Sequence, residues 1–533
     1  MTKLILIRHA EARGNVERIF HGQHDSDITD KGKKQLEFLQ KRFNDIYYDV
    51  IYSSDLKRAY ITACTANYKN LDIIKDKRLR EIHGGKWEDM PFDDLPKYYP
   101  KEYRHWNLAM HKTQMPQGES FIEFADRISN TIDEIIKENE GKTVVIATHG
   151  TAIKAYLCYT HGYCYSNMND VDWCDNTSLT VINYDEKFNP TVETAGDDSH
   201  LPDEYLTMKN QEWWKRKNDL KKILTITLNP CIDKTLFVEE LIPCGLNRIK
   251  KSNTNYSGKG INVSTVLSLL FTQSTATGFM PSDHKADYDD LLSDYGIDNR
   301  FVDVEGKTRV NTKVIDFKNK TQTEFNESGV AVSKEDKKIF LKNLNDLIDD
   351  KTIVVISGST PPGYKIDDFD EMINLIKDKN ARFIVDGEGV KLEKAIKNKS
   401  FFIKPNIFEF ETLLGEKFNG KKEKIAHEAM KIVESGVKAV IVTLGSEGAI
   451  FVSKFGTYFV PALDVEVKGL SGAGDSALAG YLAGYVKGKT YEECIAWSVA
   501  AAAASVMTEG TNPPEIHEIL TNIKKIELDS ILY

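Results

Sequence analysis

At ~100 to 200 residues per domain, 533 residues imply two or three hydrophobic cores instead of one. Hydrophobic residues make up 41% and charged residues 28%, which excludes a disordered or fibrous chain. Seventy Lys and Arg against eighty Asp and Glu leave a net charge of -10, so no overall basic field exists to hold nucleic acid or an acidic membrane, whereas a local cluster of Arg and backbone N–H groups can still bind a small phosphorylated ligand.

The chain begins MTKLILIRHAEARGN, whose apolar stretch before Arg8 is too short for the core of a signal peptide. No run approaches the ~18 apolar residues of a membrane span. Seven cysteines, scattered and never in CxxC spacing, read as small buried hydrophobes in a reducing compartment, so a cytoplasmic location is expected.

In chain order, Leu4 to Ile7 predicts a strand, Lys31 to Phe43 an amphipathic helix, Val50 to Tyr52 a strand and Asp55 to Tyr68 a helix. Phe121 to Ile136 follows with helical spacing and Thr143 to Ala147 as a buried strand. From about Gly196 to Lys222 strand signals vanish and charges dominate, which predicts a first domain at 1–200, a charged linker at 201–222 with a solvated helix carrying Trp213 and Trp214, and a second domain at 223–533. There the same grammar recurs, with strands near Leu224 to Leu228, Ile353 to Ile356, Phe383 to Val385, Phe402 to Ile403 and Ala439 to Thr443. Both halves are predicted to be α/β, each a mainly parallel sheet flanked by helices, with ligands at the carboxyl ends of the strands. Nine of the twelve histidines lie in the first 200 residues, so the halves should carry different chemistry.

In the first half three distant segments end an apolar strand in a polar, basic cluster: LILIRHAE with Arg8 and His9, VIYSSDLKRA with Ser53 and Arg58, and VVIATHGT with His149. A neutral imidazole can attack phosphorus while guanidinium groups and a second imidazole hold the equatorial oxygens. A carboxyl must then protonate the leaving alcohol, and Glu81 in LREIHGGKWED is the best placed candidate. With ITDKGKKQ, QGESFIEFADRI and Asn15, this ordered set resembles the histidine phosphatase superfamily, the phosphoglycerate mutase-like group, over residues 1 to 200. The resemblance implies His9 as the phosphorylated nucleophile, Arg8, Asn15, Arg58 and His149 as phosphate ligands, Glu81 as proton donor, and no cofactor. The run around Glu81 looks like the phosphatase branch and lacks the mutase pattern, which favours hydrolysis. Pro91 to Met115, the region expected to cap the substrate, names no substrate.

In the second half GLSGAGDSALAG, Gly469 to Gly480, predicts a glycine-rich anion cradle at a helix N-terminus, with Asp475 just inside it to take a hydroxyl proton. TLNPCIDKT, SGKGINVS, KTRVNTKV, NESG, SGSTPPG, KPNIFE and TLGSEGA occur around it in an order that resembles the PfkB or ribokinase-like carbohydrate kinases, within them the 1-phosphofructokinase and tagatose-6-phosphate kinase branch. That resemblance implies a ribokinase-like fold with a small β lid, through which a homodimer could form. It implies Asp233, Gly258, Lys259 and Asn262 at the sugar, and Lys259 with Arg309 at its phosphate. It further implies Asn406, Thr443, Gly445 and Gly448 at ATP, Glu409 indirectly at Mg2+, Gly472, Ala473 and Gly474 as the anion hole, and Asp475 as base. Ser257 stands where the family commonly has Gly, and Gly469 where it commonly has a polar residue. GEKFNGKK, Gly415 to Lys422, imitates a P-loop but ends in Lys and follows no strand, and so reads as a charged loop.

The expectation is therefore a bifunctional sugar-phosphate enzyme: MgATP-dependent phosphorylation of a ketohexose phosphate, best fructose 1-phosphate, joined to a phosphomonoesterase. The alternatives are a tagatose-6-phosphate or 6-phosphofructokinase, with the first domain a sensor of phosphorylated metabolites or a phosphatase for an unrelated ester.

Overall fold

The computed structural model describes residues 1–165, 168, 171–211 and 222–530. The chain divides into two compact units, Met1–Asp219 and Leu220–Tyr533, each built on its own sheet.

The first sheet runs in the spatial order Ile73–Lys75, Val50–Ser53, Thr143–Thr148, Thr2–Arg8, Leu179–Tyr184 and Pro190–Asp197. The first four strands are parallel and the last two antiparallel. Alternation decides which side chains enter which layer: Leu4, Leu6, Val144 and Ile146 join one apolar cluster, while Ile5, Ile7, Val145 and Ala147 join the other. Such strands are apolar on both faces because helices cover both. One face is covered by Phe121–Glu138, started by a capping box between Ser120 and Glu123, and the other by Asp30–Phe43, started by the Thr29 hydroxyl. Each Leu or Ile buried here contributes about 1.5 to 3 kcal/mol.

The predicted linker begins later than its composition suggests. Leu201, Leu206 and Met208 are buried, Lys31 Nζ donates to Leu206 O at 2.9 Å, and both Thr207 N–H and Met208 N–H donate to the Asp175 carboxylate. Residues 201–211 therefore pack on the first unit, because polar backbone ties hold a segment whose sequence carries little hydrophobic signal. Trp213 and Trp214 lie outside the described residues.

The main sheet of the second unit runs Asp298–Asn299, Thr275–Pro281, Lys222–Thr227, Thr352–Ser357, Arg382–Asp386, Phe402–Ile403, Ala439–Thr443, Ala449–Ser453, Gly456–Val460 and Asp529–Ser530, with Val302–Val304 also paired to Thr275–Pro281. It is parallel as far as Ala439–Thr443 and antiparallel beyond. Leu224, Ile226, Val354 and Ile356 point into one layer, and Ile223, Ile353 and Val355 into the other. A separate four-stranded sheet, Ile249–Ser257, Cys231–Val238, Arg309–Asp316 and Thr321–Asn326, forms the lid. The segment 415–422 follows the helix Ile407–Leu414 and not a strand.

Among the described residues no helix is long and apolar enough to cross a membrane. Four cysteines are buried, but Cys64, Cys164 and Cys244 are exposed, so the expectation of buried thiols fails for those three: they stand at surface positions, outside the apolar layers.

Candidate active sites

In the first unit, Arg8 is the last residue of its strand and His9 follows; His149 follows Thr143–Thr148 and caps the helix Gly150–Thr160, and Arg58 lies in the first turn of Lys57–Ala66. All four are buried. The rings of His9 and His149 stand 5.3 Å apart. His9 Nδ1 lies 2.8 Å from Ala10 O. A carbonyl only accepts, so Nδ1 carries the proton and Nε2 keeps a free lone pair. Burial, then the charges of Arg58 and Arg8, holds His9 well below the ordinary imidazole range, so it is neutral at neutral pH. His149 is held low by burial and then by Arg58, with Ser54 Oγ 2.9 Å from its Nε2.

Arg58 is braced from behind, Nη1 donating to His24 O at 2.9 Å and Nη2 to Gly22 O at 2.8 Å. Arg8 donates through Nη1 to Cys174 O and, at 3.2 Å, to Met208 Sδ. Arg58 Nε, Arg8 Nε and His149 Nδ1 are buried with no hydrogen-bond partner. Buried nitrogens without partners are costly, and the two guanidinium Nε–H groups could donate to an anionic ligand beside the His9 imidazole. Burial pushes the Glu81 carboxyl above its ordinary range, although Ile82 N–H and Thr151 N–H donate to it at 2.9 and 3.1 Å. Asn15 stands apart: its Oδ1 accepts Ala12 N–H at 3.0 Å and braces the start of the short helix Arg13–Glu17, leaving only Nδ2 for a ligand. Ser54, Asp175 and Asn176, whose Nδ2 donates to His9 O at 2.8 Å, were not singled out in sequence.

In the second unit, Gly472 adopts φ +82° at the N-cap of Ala473–Val486, a turn that opens the first N–H groups of the helix towards the site. Asp475 is buried in that first turn. Asn262 Nδ2 donates to Asp475 Oδ2 at 2.9 Å, and Ser257 Oγ donates to Asn262 Oδ1 at 3.1 Å. The serine at the family's usual glycine position thus orients the amide that faces the carboxylate. Burial and the neighbouring Asp386 push Asp475 up to about 6, against the pull of Lys259 and Asn262. Gly469 is fitted for packing: a Cβ there would stand 2.8 Å from Thr508 O.

Lys404 Nζ meets Asp386 Oδ1 at 3.0 Å, both nearly fully buried, and Lys259 Nζ lies 3.7 Å from Oδ2. Burial would raise Asp386, but the two ammonium groups win and hold it below its ordinary range; Asp386 in turn raises Lys259. Asp386 and Lys404 had a readable signal as polar residues ending the apolar strands Arg382–Asp386 and Phe402–Ile403. Gly258 precedes Lys259 at a close crossing, where a Cβ would sit 2.6 Å from Thr227 Cγ2.

Across the lid, Arg309 donates to Asn229 O through Nε at 3.2 Å and Nη2 at 3.0 Å, and Asn311 Nδ2 donates to Asp233 Oδ1 at 3.2 Å. Lys313 Nζ donates to Ser471 Oγ, linking lid and glycine loop through a residue not foreseen in sequence. Asn406 and Glu409 hold each other in a capping box, and Thr443 N–H donates to Pro405 O at 3.0 Å. Burial pushes Glu409 above its ordinary range. Gly445 and Gly448 form the turn after Thr443, Leu444 N–H donating to Gly448 O at 2.8 Å.

The pfkB family carbohydrate kinase profile matches residues 226–518, more than half of the chain. The chain belongs to that family. The profile of the histidine phosphatase superfamily (branch 1) matches residues 4–198, and the N-terminal unit is a domain of that superfamily. The 1-phosphofructokinase of Borreliella burgdorferi is 36% identical over 289 residues, 54% of this chain and 92% of its own length. Phosphoserine phosphatase 1 of Hydrogenobacter thermophilus is 37% identical over 190 residues, 36% of this chain and 90% of its own. The structure of phosphofructokinase-2 from Escherichia coli in complex with substrates and products shares 27% identity at a TM-score of 0.54, covering 57% of this chain and 99% of that one. The protein is thus an enzyme that joins a histidine phosphatase domain to a ribokinase-like sugar kinase, and both α/β expectations hold.

Proposed function

We propose that the kinase unit transfers the γ-phosphoryl group of MgATP to the free primary hydroxyl of a ketohexose phosphate, with fructose 1-phosphate as acceptor and fructose 1,6-bisphosphate as product. The observation that carries this is the Ser257–Asn262–Asp475 chain at an open helix N-terminus. A carboxylate titrating near 6 accepts the hydroxyl proton as the sugar oxygen bonds to phosphorus and the bond to ADP breaks. The helix N–H groups of Gly472 to Gly474 and the ammonium groups of Lys259 and Lys404 neutralise the migrating charge. Asp233, Gly258 and Asn262 take the sugar, and Arg309 with Lys259 takes its phosphate; Asn406, Thr443, Gly445 and Gly448 line the nucleotide. The relatives named 1-phosphofructokinase support the choice of acceptor.

Magnesium fits as an ion carried on the nucleotide's phosphates, since it is commonly held by one or two carboxylates together with substrate phosphates. Glu409 and Asp386, whose Oδ2 lacks a hydrogen-bond partner, are the carboxylates available to it. It would supply charge neutralisation on the phosphates.

The N-terminal unit, in this reading, hydrolyses phosphomonoesters without a metal. His9 Nε2 bonds to phosphorus as the ester bond breaks, and Glu81, whose burial favours its protonated form, gives its proton to the leaving alkoxide. Glu81 then takes a proton from the water that releases inorganic phosphate. Arg8, Arg58 and His149 hold the phosphoryl oxygens, with Asn15 Nδ2 at hand. A protein that only sensed phosphate would not need both a free imidazole lone pair and a buried carboxyl beside it.

Alkaline denaturing quench, which preserves the acid-labile P–N bond, with labelled phosphoserine and labelled ketohexose phosphates tests this half: phosphohistidine in wild type and none in His9→Ala supports it, and no trapping or phosphate release from either class refutes it. For the kinase, kcat/KM is compared across fructose 1-phosphate, fructose 6-phosphate and tagatose 6-phosphate, and Asp475→Ala should lose about 10² to 10⁴ in turnover. The exposed lid residues Ile249, Phe317 and Phe325 support pairing of two copies through the lid, which sedimentation of Phe325→Glu checks.

A further inference from the structure

A cavity of about 700 Å3 opens at the other end of the kinase sheet. Arg382, Phe402 and Ala439, the first residues of three parallel strands, line it, together with Ser453 opposite Ala439. Asp386 and Thr443 end two of those strands, and Lys404 follows the third. Four steps of about 3.3 Å put roughly 13 Å between the two ends of Arg382–Asp386 and of Ala439–Thr443, so the cavity is separate from the phosphoryl-transfer site.

Its lining carries six cations, Lys377, Arg382, Lys399, Lys438, Lys454 and Lys489, and no carboxylate. Among the described residues only Lys489 of these is ion-paired, with Glu493 at 2.9 Å. In a chain of net charge -10, five exposed cations gathered without a carboxylate among them form a local positive patch that would attract an anion. The same wall is aromatic. Phe401 tilts against Tyr485 at 5.1 Å, with the Arg382 guanidinium 5.2 Å from its ring. Phe455, 69% exposed in the turn between Ala449–Ser453 and Gly456–Val460, lies 6.1 Å from Tyr491, with Lys454 Nζ 5.0 Å from its ring.

We propose that this cavity is a second nucleotide site of the kinase unit, taking a nucleoside di- or triphosphate whose base stacks on the exposed ring of Phe455 while its phosphates meet the cations that have no carboxylate partner. The volume suits such a ligand, and a ring flanked by cations favours a flat, neutral base joined to a negatively charged polyphosphate. A sugar bisphosphate would use the cations and leave the rings idle.

Calorimetric titration of the full chain with β,γ-imido-ATP and magnesium tests this, comparing wild type with Arg382→Glu/Lys438→Glu and with Lys454→Glu, a single change in an exposed turn. Wild type should show one more class of sites than the double variant, and that class should weaken at least tenfold in Lys454→Glu. Retained kcat for sugar phosphorylation at saturating ATP reports that the variants are folded. Adenosine alone and tripolyphosphate alone should each bind at least tenfold more weakly than the nucleotide. Equal numbers of sites in wild type and both variants overturn the proposal. Tripolyphosphate binding as tightly as the nucleotide also overturns it, since the pocket would then recognise phosphate without a base.

Discussion

Removing the amide that faces Asp475 should move the pH dependence of the kinase more than it lowers its maximal rate. Asn262→Ala deletes a 2.9 Å donor to a buried carboxylate that already titrates up at about 6. A hydrogen bond to a charged group contributes about 1.5 to 3 kcal/mol. At about 1.36 kcal/mol per unit, its loss raises Asp475 by roughly 1 to 2 units, to about 7 to 8. A general base works deprotonated, so the rising limb of the pH profile shifts to higher pH by the same amount. With the limb centred near 7.5, the variant would keep about half of its active form at pH 7.5 and recover it by pH 9. The assay is kcat against pH from 5 to 9 at saturating ATP and sugar phosphate, which sets aside any weakening of sugar binding. Ser257→Gly, which frees the amide to turn, should shift the limb in the same direction by a smaller amount. A limb that stays in place while the plateau falls would refute the reasoning, because the amide would then act on the substrate and not on the ionisation of Asp475.

Lys404→Met leaves Asp386 buried without its nearest partner and should cost about 3 to 5 kcal/mol of stability in denaturant titration, whereas Lys404→Met/Asp386→Leu should regain most of that without regaining turnover. Gly448 sits at φ +114° with Val460 O 2.0 Å from where a Cβ would stand, so Gly448→Ala should destabilise the nucleotide turn by about 2 kcal/mol or more and raise KM for ATP. The phosphatase unit should be acid-labile: His9, His149 and His21 are held below the ordinary value of 6.5, His21 down to about 3. Below about pH 6.5 the unfolded chain binds protons that the native one refuses, so stability falls as pH falls, by up to about 1.4 kcal/mol per pH unit for each histidine. Calorimetry of the full chain at pH 7.5 and 5 checks this, and His9→Gln should reduce the slope by one proton's share.

Much of the chemistry was legible because a parallel sheet sends the carboxyl ends of its strands to one edge. Arg8, His9 and His149 all end or follow apolar runs, so the sequence alone placed them at ligand-binding edges, and the ordered motifs implied two enzymes; Asp386 and Lys404 carry the same signal, which went unread. The apolar runs themselves settled the α/β class, since strands buried on both faces must be apolar at every position. Properties that arise only from groups distant in sequence required the tertiary structure. The tautomer of His9 follows from Ala10 O, but its depressed basicity comes from burial and then from Arg58 and Arg8, and Gly22, His24 and Cys174 occupy the other faces of the two guanidinium groups whose Nε atoms are left unpartnered. The role of Ser257, a mismatch in the motif, appears once its hydroxyl is seen to turn Asn262 towards Asp475, more than two hundred residues away. Residues 201–211 look like linker because backbone hydrogen bonds, which leave no mark in composition, fasten them to Asp175 and Lys31. The cavity at the opposite edge draws its cations from positions 377 to 489, each an ordinary surface lysine or arginine in sequence, and their concentration follows only from how the strands and helices pack side by side.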